Sequence, residues 1–419
     1  MSVALTTLPS GLRVVSHKMP ELKTLSVGVW IDAGSRYEDA GENGISHMLE
    51  HMAFKGTETR SARAIAQEIE QVGGYLNAYT SREQTAYYAR VLEEDLPLAV
   101  NLLGDILQHS TFDPAELERE RSVIVQEIGQ AQDTPEDLVF DYMQERAFPD
   151  QPLGRTILGP AEIVRGLGSD ALRGYMAAHY HAPSMVVSAA GAVDHDRLVE
   201  LAAGAFRTLP PQSPRALPPG RYVGGDLRVE KDLEQAHLTL GLEGVTYDDP
   251  DYFTMQVFVG ALGGGMSSRL FQEVREIRGL CYSIYAFSQS YADTGLIGIY
   301  AGTGAEELRE LVPVVIGETL ALAENCGEDE VQRAKAQLKA GLLMSLESCS
   351  GRAEQLARHL LVYGRLVPVE EFVRKIDVVD AFAVRRFAKR VLAGRAPTLA
   401  AIGPLGHLEP AEAIAARLR

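Results

Sequence analysis

Cysteine is scarce: Cys281, Cys326 and Cys349 are the whole complement of a 419-residue chain. Their number is odd and no two stand as C-x-x-C. That argues against a disulfide framework and a thiolate zinc site, and fits a reducing compartment such as the cytoplasm. Long apolar runs are missing too. Nothing approaches the roughly 18 apolar residues of a membrane-crossing helix. The opening MSVALTTLPSG has no basic region followed by an apolar one, so no secretory leader is expected; an organelle matrix, after removal of a presequence, is the alternative location. Positive charge is in deficit, with 40 Lys and Arg against 57 Asp and Glu and a formal net charge of −17. Such a surface repels phosphate backbones, which removes nucleic acid from the expected partners, and it favours cationic ligands, basic peptides among them. The 46% hydrophobic and 23% charged fractions are those of a folded globular chain, and the length suggests two or three domains.

One segment divides the text. PPQSPRALPPG, residues 210–220, holds five prolines and reads as an extended linker between residues 1–209 and 221–419. The two parts look like variants of one unit. The first runs through an alternating strand (25–32), an apolar helix (45–54), a polar helix (62–72) stopped by Gly73-Gly74, and an aromatic-rich strand (75–91). The second repeats the series with a strand (237–242), an apolar helix (252–262), a polar helix (269–278) stopped by Gly279, and an alternating stretch (282–301). The expected fold class is α+β, two homologous domains, each a mainly antiparallel sheet with helices packed on one face.

The chemistry concentrates in His47-Met48-Leu49-Glu50-His51. It follows Gly-Glu-Asn-Gly, in which Asn43 is a plausible helix cap. Residues four apart on a helix lie one turn above each other, so His47 and His51 can aim imidazole nitrogens at one ion. Glu50 lies near the same face and can hold a water beside the ion without being a ligand. This is the inverted HxxEH order. A second helix, opened by Asp113 and Pro114, carries Glu120 and Glu127 two turns apart on one face. One of them can complete a three-residue ligand set, and the other can support the ligands by hydrogen bonding.

With these residues in place the chain resembles the pitrilysin-type zinc metallopeptidases, on the branch of the mitochondrial processing peptidases and their bacterial relatives. The family places a glutamate ligand 76 residues beyond the second histidine, which counted from His51 is Glu127, and a supporting glutamate seven residues earlier, Glu120. The likeness extends over GSRYEDAGENGISHMLEHMAFKGT, GGYLNAYTSREQTAYYARVL and GGGMSSRLFQEVREIRGLCYSIYA.

The resemblance implies a zinc endopeptidase for short or unfolded peptides, with one zinc per chain on His47, His51 and Glu127 and with Glu50 as general base. It implies that 221–419 is a metal-free domain closing a chamber, because 252–262 has neither His nor Glu. Arg275 and Tyr282, seven apart, match the family pair that reaches the substrate carbonyl. Asn77, Ala78 and Tyr79 match the edge strand to which substrate adds. Asp137 and Asp141 match two acidic positions that receive an arginine side chain. Two domains per chain imply pairing, as a homodimer. Non-catalytic relatives lose motif residues, whereas this set is complete. His179 and His181 are expected to be structural.

Overall fold

The computed structural model describes residues 3–209 and 216–418, so the first part of the proline-rich segment, 210–215, lies outside it. The chain divides into two compact units. The first takes residues 1–129, 155–218 and 343–367; the second takes 130–154, 219–342 and 368–419.

The first unit is built on six strands: β1 (Val3–Thr7), β2 (Arg13–Lys18), β3 (Thr24–Ile31), β4 (Tyr75–Thr80), β5 (Thr85–Leu92) and β6 (Met185–Gly191). Their order is β1-β2-β6-β3-β5-β4, antiparallel except for the β2–β6 pair. Alternation sets the two faces. Leu25, Val27, Val29 and Ile31 of β3 join one core with the helices Leu96–Gln108 and His195–Ala205. Trp30, between them in sequence, joins Val15, Val186 and Ala190 in a second core on the other face. Strands buried on both faces read as near-continuous apolar runs, as MVVSAAG of β6 does.

What covers that second face comes from far along the chain. Ala353, Leu356, Ala357 and Leu360 of the helix Cys349–Tyr363 pack there. Ser188 Oγ donates to the Ala353 carbonyl at 2.7 Å and Arg13 to that of Leu360 at 2.8 Å. Leu356 is 2% exposed, so Leu356→Ala should destabilise this unit by about 2–5 kcal/mol. Trp30, the only tryptophan, reports the event: emission should redden at a lower temperature than in the parent. An unchanged midpoint would contradict this packing.

The second unit has five strands: β7 (Gly225–Glu230), β8 (Ala236–Glu243), β9 (Ser283–Ser290), β10 (Gly295–Thr303) and β11 (Thr398–Gly403), ordered β7-β11-β8-β10-β9. Only β7–β11 is parallel. Leu399 and Ala401 face a core that includes the helix Tyr252–Gly263, while Ala400 and Ile402 face Val139, Met143 and Ala147. Those three lie on the helix Pro135–Ala147, from the first part of the sequence. Each sheet therefore carries, on the face opposite its main helices, one helix that the sequence order would assign to the other half.

The aromatic stretch 75–91, expected as one strand, is a hairpin. Ser81 N and Oγ both donate to the Gln84 carbonyl, at 2.8 Å each, which closes the turn between β4 and β5. The stretch 282–301 breaks in the same way where Tyr291 N donates to the Thr294 carbonyl. The polar helix expected at 269–278 is a π-helix over Phe271–Ile277. Among the described residues no helix is long and apolar enough to cross a membrane.

Candidate metal centre

The helix Ile45–Met52 starts at Gly44, not at Asn43. Gly44 has φ +99°, and a Cβ there would stand 2.6 Å from the Leu158 carbonyl oxygen, so glycine is required. The cap is Glu38: its carboxylate accepts from Gly44 N and Ser46 N, both at 2.9 Å, and from Asn43 Nδ2 at 2.8 Å. Asn43 is thus a tether to this cap. The carboxylate at a helix N-terminus also answers the helix dipole. This anchor fixes the turn from which His47, Glu50 and His51 project. The partner helix, Pro114–Gln132, begins as its sequence suggests, with Asp113 Oδ1 accepting from Ala115 N and Glu116 N.

Three side chains from these two helices converge. Nε2 of His47 lies 3.6 Å and Nε2 of His51 3.7 Å from Oε2 of Glu127. These separations exceed a hydrogen bond. They approach the edge of a tetrahedron whose corners stand about 2.0–2.2 Å from a central zinc, an edge of about 3.4 Å. Two imidazoles and a carboxylate are also the donor types of catalytic zinc sites. No other set of three or more His, Cys, Asp and Glu among the described residues brings one ligand atom each within 4.8 Å of one another. Burial, then the neighbouring His51, pulls the His47 imidazole down to about 4, so near neutrality it is uncharged and offers a lone pair. The rings meet edge to face, with centroids 4.6 Å apart. Glu127 is about two-fifths exposed, which leaves one side of the trio open to solvent.

The other two carboxylates stand outside the trio. Glu120, buried, accepts from His51 Nδ1 at 3.0 Å, which directs the Nε2 lone pair toward Glu127. Its second oxygen pairs with Lys55 Nζ at 2.6 Å. Glu50 receives a 2.6 Å hydrogen bond from Thr80 Oγ1. Its carboxyl is raised above the usual range, chiefly by burial and against the pull of Thr80 and His51. Lys55 and Thr80 did not stand out in the sequence. The signals were there: Lys55 follows His51 by four residues, and Thr80 shares strand phase with Ala78.

The remaining expected residues fall into two groups. Asn77, Ala78 and Tyr79 lie on β4, at an edge of the first unit's sheet. Ala78 is buried in the core, while Tyr79 faces the other way and donates to Glu354 at 3.1 Å. Arg275, Tyr282, Asp137 and Asp141 belong to the second unit. There the Arg275 guanidinium sits over the Tyr282 ring at 5.0 Å and over Phe271 at 4.7 Å, with Tyr282 three-quarters exposed. Asp137 lies near the phenols of Tyr285 and Tyr300; burial, then Tyr285, then Glu136 and Asp137 push the latter up to about 12. His179 ends a helix and packs against Tyr175 and Tyr37; His181 Nε2 meets the Ala177 carbonyl at 3.0 Å.

Known proteins resemble this chain over most of its length. Residues 13–161 match the model for insulinase, peptidase family M16, and residues 167–338 match the peptidase M16 inactive domain. The chain is 42% identical over 418 residues to a probable mitochondrial-processing peptidase subunit beta of Arabidopsis thaliana, covering 96% of this chain and 78% of that protein. To the Homo sapiens mitochondrial-processing peptidase subunit beta it is 42% identical, covering 96% and 85%. An uncharacterized zinc protease of Rickettsia felis is 38% identical, with 96% and 97% covered. Among solved structures, an M16 inactive-domain protein of Pseudomonas fluorescens superposes with TM-score 0.90 at 22% identity, covering 98% of this chain and all of that one. A Helicobacter pylori protease superposes with TM-score 0.88 at 23% identity, covering 96% and 99%. The chain belongs to peptidase family M16, with an N-terminal peptidase domain and a C-terminal inactive domain, and is a zinc-type peptidase.

Proposed function

We propose that the chain is a zinc-dependent endopeptidase for short or unfolded peptides, basic ones included, with one zinc held by His47, His51 and Glu127. The observation that carries this reading is the convergence of two Nε2 atoms and one Oε2 atom at tetrahedron-edge spacing. Two imidazole ligands and one carboxylate would leave a bound Zn²⁺ with net positive charge. When bound, zinc polarises a peptide carbonyl and brings the pKa of a water down toward about 7.

The chain's own groups do the rest. Glu50 accepts the proton of the attacking water and returns it to the leaving amine; burial, which raises its carboxyl, makes it a stronger base than a free one. Glu120 holds His51 in one tautomer. The free edge of β4 takes the substrate main chain as an added strand around Asn77, Ala78 and Tyr79, which demands little of its sequence. Asp137 and Asp141 receive an arginine side chain of the substrate. Arg275 and Tyr282 donate to the carbonyl oxygen as charge develops on it, the C-terminal domain closing the chamber over the peptide. The name "subunit beta" of two relatives denotes one component of an assembly. Because this chain carries both the metal set and the arginine–tyrosine pair, a homodimer is the assembly we infer.

The test is hydrolysis of a mixed peptide library read by mass spectrometry. The full chain should cut internal bonds of short peptides, spare folded proteins and stop when zinc is chelated. Cleavage that survives complete zinc removal would overturn the reading. In the same assay Arg275→Ala and Tyr282→Phe should each lower kcat by about 10²–10³-fold, the effect of losing one transition-state donor. Zinc content and melting temperature should stay at parent values. Parent-like kcat in both variants would remove the second unit from the chemistry.

A further inference from the structure

The hydrogen bond from Thr80 to Glu50 joins two elements that arrive separately. Glu50 comes from the helix Ile45–Met52 and Thr80 from the last position of β4. Glu50 has three rotatable side-chain bonds and sits in a partly buried position, so its carboxylate needs a partner to hold one orientation. Thr80 is well suited to be that partner. Its branched side chain is stiff at χ1, which lets the backbone dictate where the hydroxyl points. The backbone there is itself fixed: Thr80 pairs with Thr85 across the hairpin, and the next residue, Ser81, closes the turn through Gln84. Strand alternation gives Thr80 the phase of buried Ala78 and opposes it to Tyr79, which is tied to Glu354 on the far face.

We propose that Thr80 is a positioning residue for the base. Its hydroxyl binds Oε2 of Glu50 and holds the carboxylate in the rotamer that meets the attacking water. Because Thr80 ends the edge strand, the same strand that takes up the substrate main chain also sets the base. A peptide adding along β4 therefore lies on the strand whose last residue holds Glu50 through one 2.6 Å contact. This proposal rests on the reading of Glu50 as the base and of β4 as the substrate edge.

The test compares Thr80→Val, which keeps the branched shape and loses the hydroxyl, with Thr80→Ser, which keeps the hydroxyl. The probe is a quenched fluorogenic arginine-containing peptide, and the protein is the full chain loaded with zinc. Thr80→Val should lower kcat by about 10–100-fold, in the range by which misplacement of a reacting group slows a step. KM should move by less than about twofold, since no substrate contact is lost. Zinc content and melting temperature should match the parent, and Thr80→Ser should recover most of the lost kcat. A parent-like kcat for Thr80→Val overturns the proposal. So does a loss that appears in KM, or one that Thr80→Ser does not restore. If the parent itself shows no zinc-dependent cleavage, the reading of Glu50 falls and takes this proposal with it. If the parent cleaves and only the Thr80 comparison fails, the endopeptidase reading stands.

Discussion

Glu50→Gln is expected to lower kcat by about 10²–10⁴-fold, the contribution of a positioned general base, while leaving zinc bound. The replacement is nearly isosteric. Its amide oxygen can still accept the 2.6 Å hydrogen bond from Thr80, so the side chain keeps its place. The amide cannot take a proton. Glu50 is not one of the three converging groups, so the metal set is untouched. Steady-state kinetics on a fluorogenic peptide, with metal content by mass spectrometry of the same sample, separate these effects. Parent-like turnover would remove Glu50 from the mechanism. Low turnover with zinc missing would make it a ligand.

Glu127→Ala should behave in the opposite order, losing metal first and activity as a consequence. It removes one of the three converging atoms and leaves two imidazoles. Zinc affinity should fall by more than the roughly 10–100-fold that loss of a supporting partner costs. That smaller effect is the expectation for Glu120→Ala, whose carboxylate touches His51 Nδ1 and Lys55. Competition with a chromophoric chelator measures both. If the two variants weaken zinc in the reverse order, Glu120 and Glu127 have exchanged roles.

That pair shows how far the sequence carried the argument. His47 and His51 were legible because four residues on one helix is local geometry, readable without a fold. Glu120 and Glu127 share a helix face by the same rule, and periodicity alone left open which was the ligand. The family spacing named Glu127, and the packing of one helix on the other agrees, with Glu120 3.0 Å from Nδ1 of His51 and Glu127 3.7 Å from its Nε2. The cap was misread for a related reason. Asn43 has the right chemistry next to the helix, but Glu38 reaches forward over six and eight residues to take the N–H groups of Gly44 and Ser46.

The fold class followed from alternation and helix periodicity. The traffic of helices between units did not. Ala353, Leu356, Ala357 and Leu360 form an apolar stripe at helical spacing. A stripe says that a helix is buried on one side and does not name the sheet it meets. Trp30 and Val186 likewise show that β3 and β6 bury their second faces, without saying against what. Thr80 and Lys55 escaped notice because each acts through another side chain, and such roles become visible only when both partners have positions.

The central claim is that one zinc sits between His47, His51 and Glu127. Anomalous diffraction from crystals of the zinc-loaded full chain, collected on both sides of the zinc absorption edge, tests it most directly. The account predicts one peak per chain, about 2.0–2.2 Å from Nε2 of His47, Nε2 of His51 and an oxygen of Glu127. A zinc peak coordinated by other residues, or no peak at this trio in zinc-replete crystals, would contradict it.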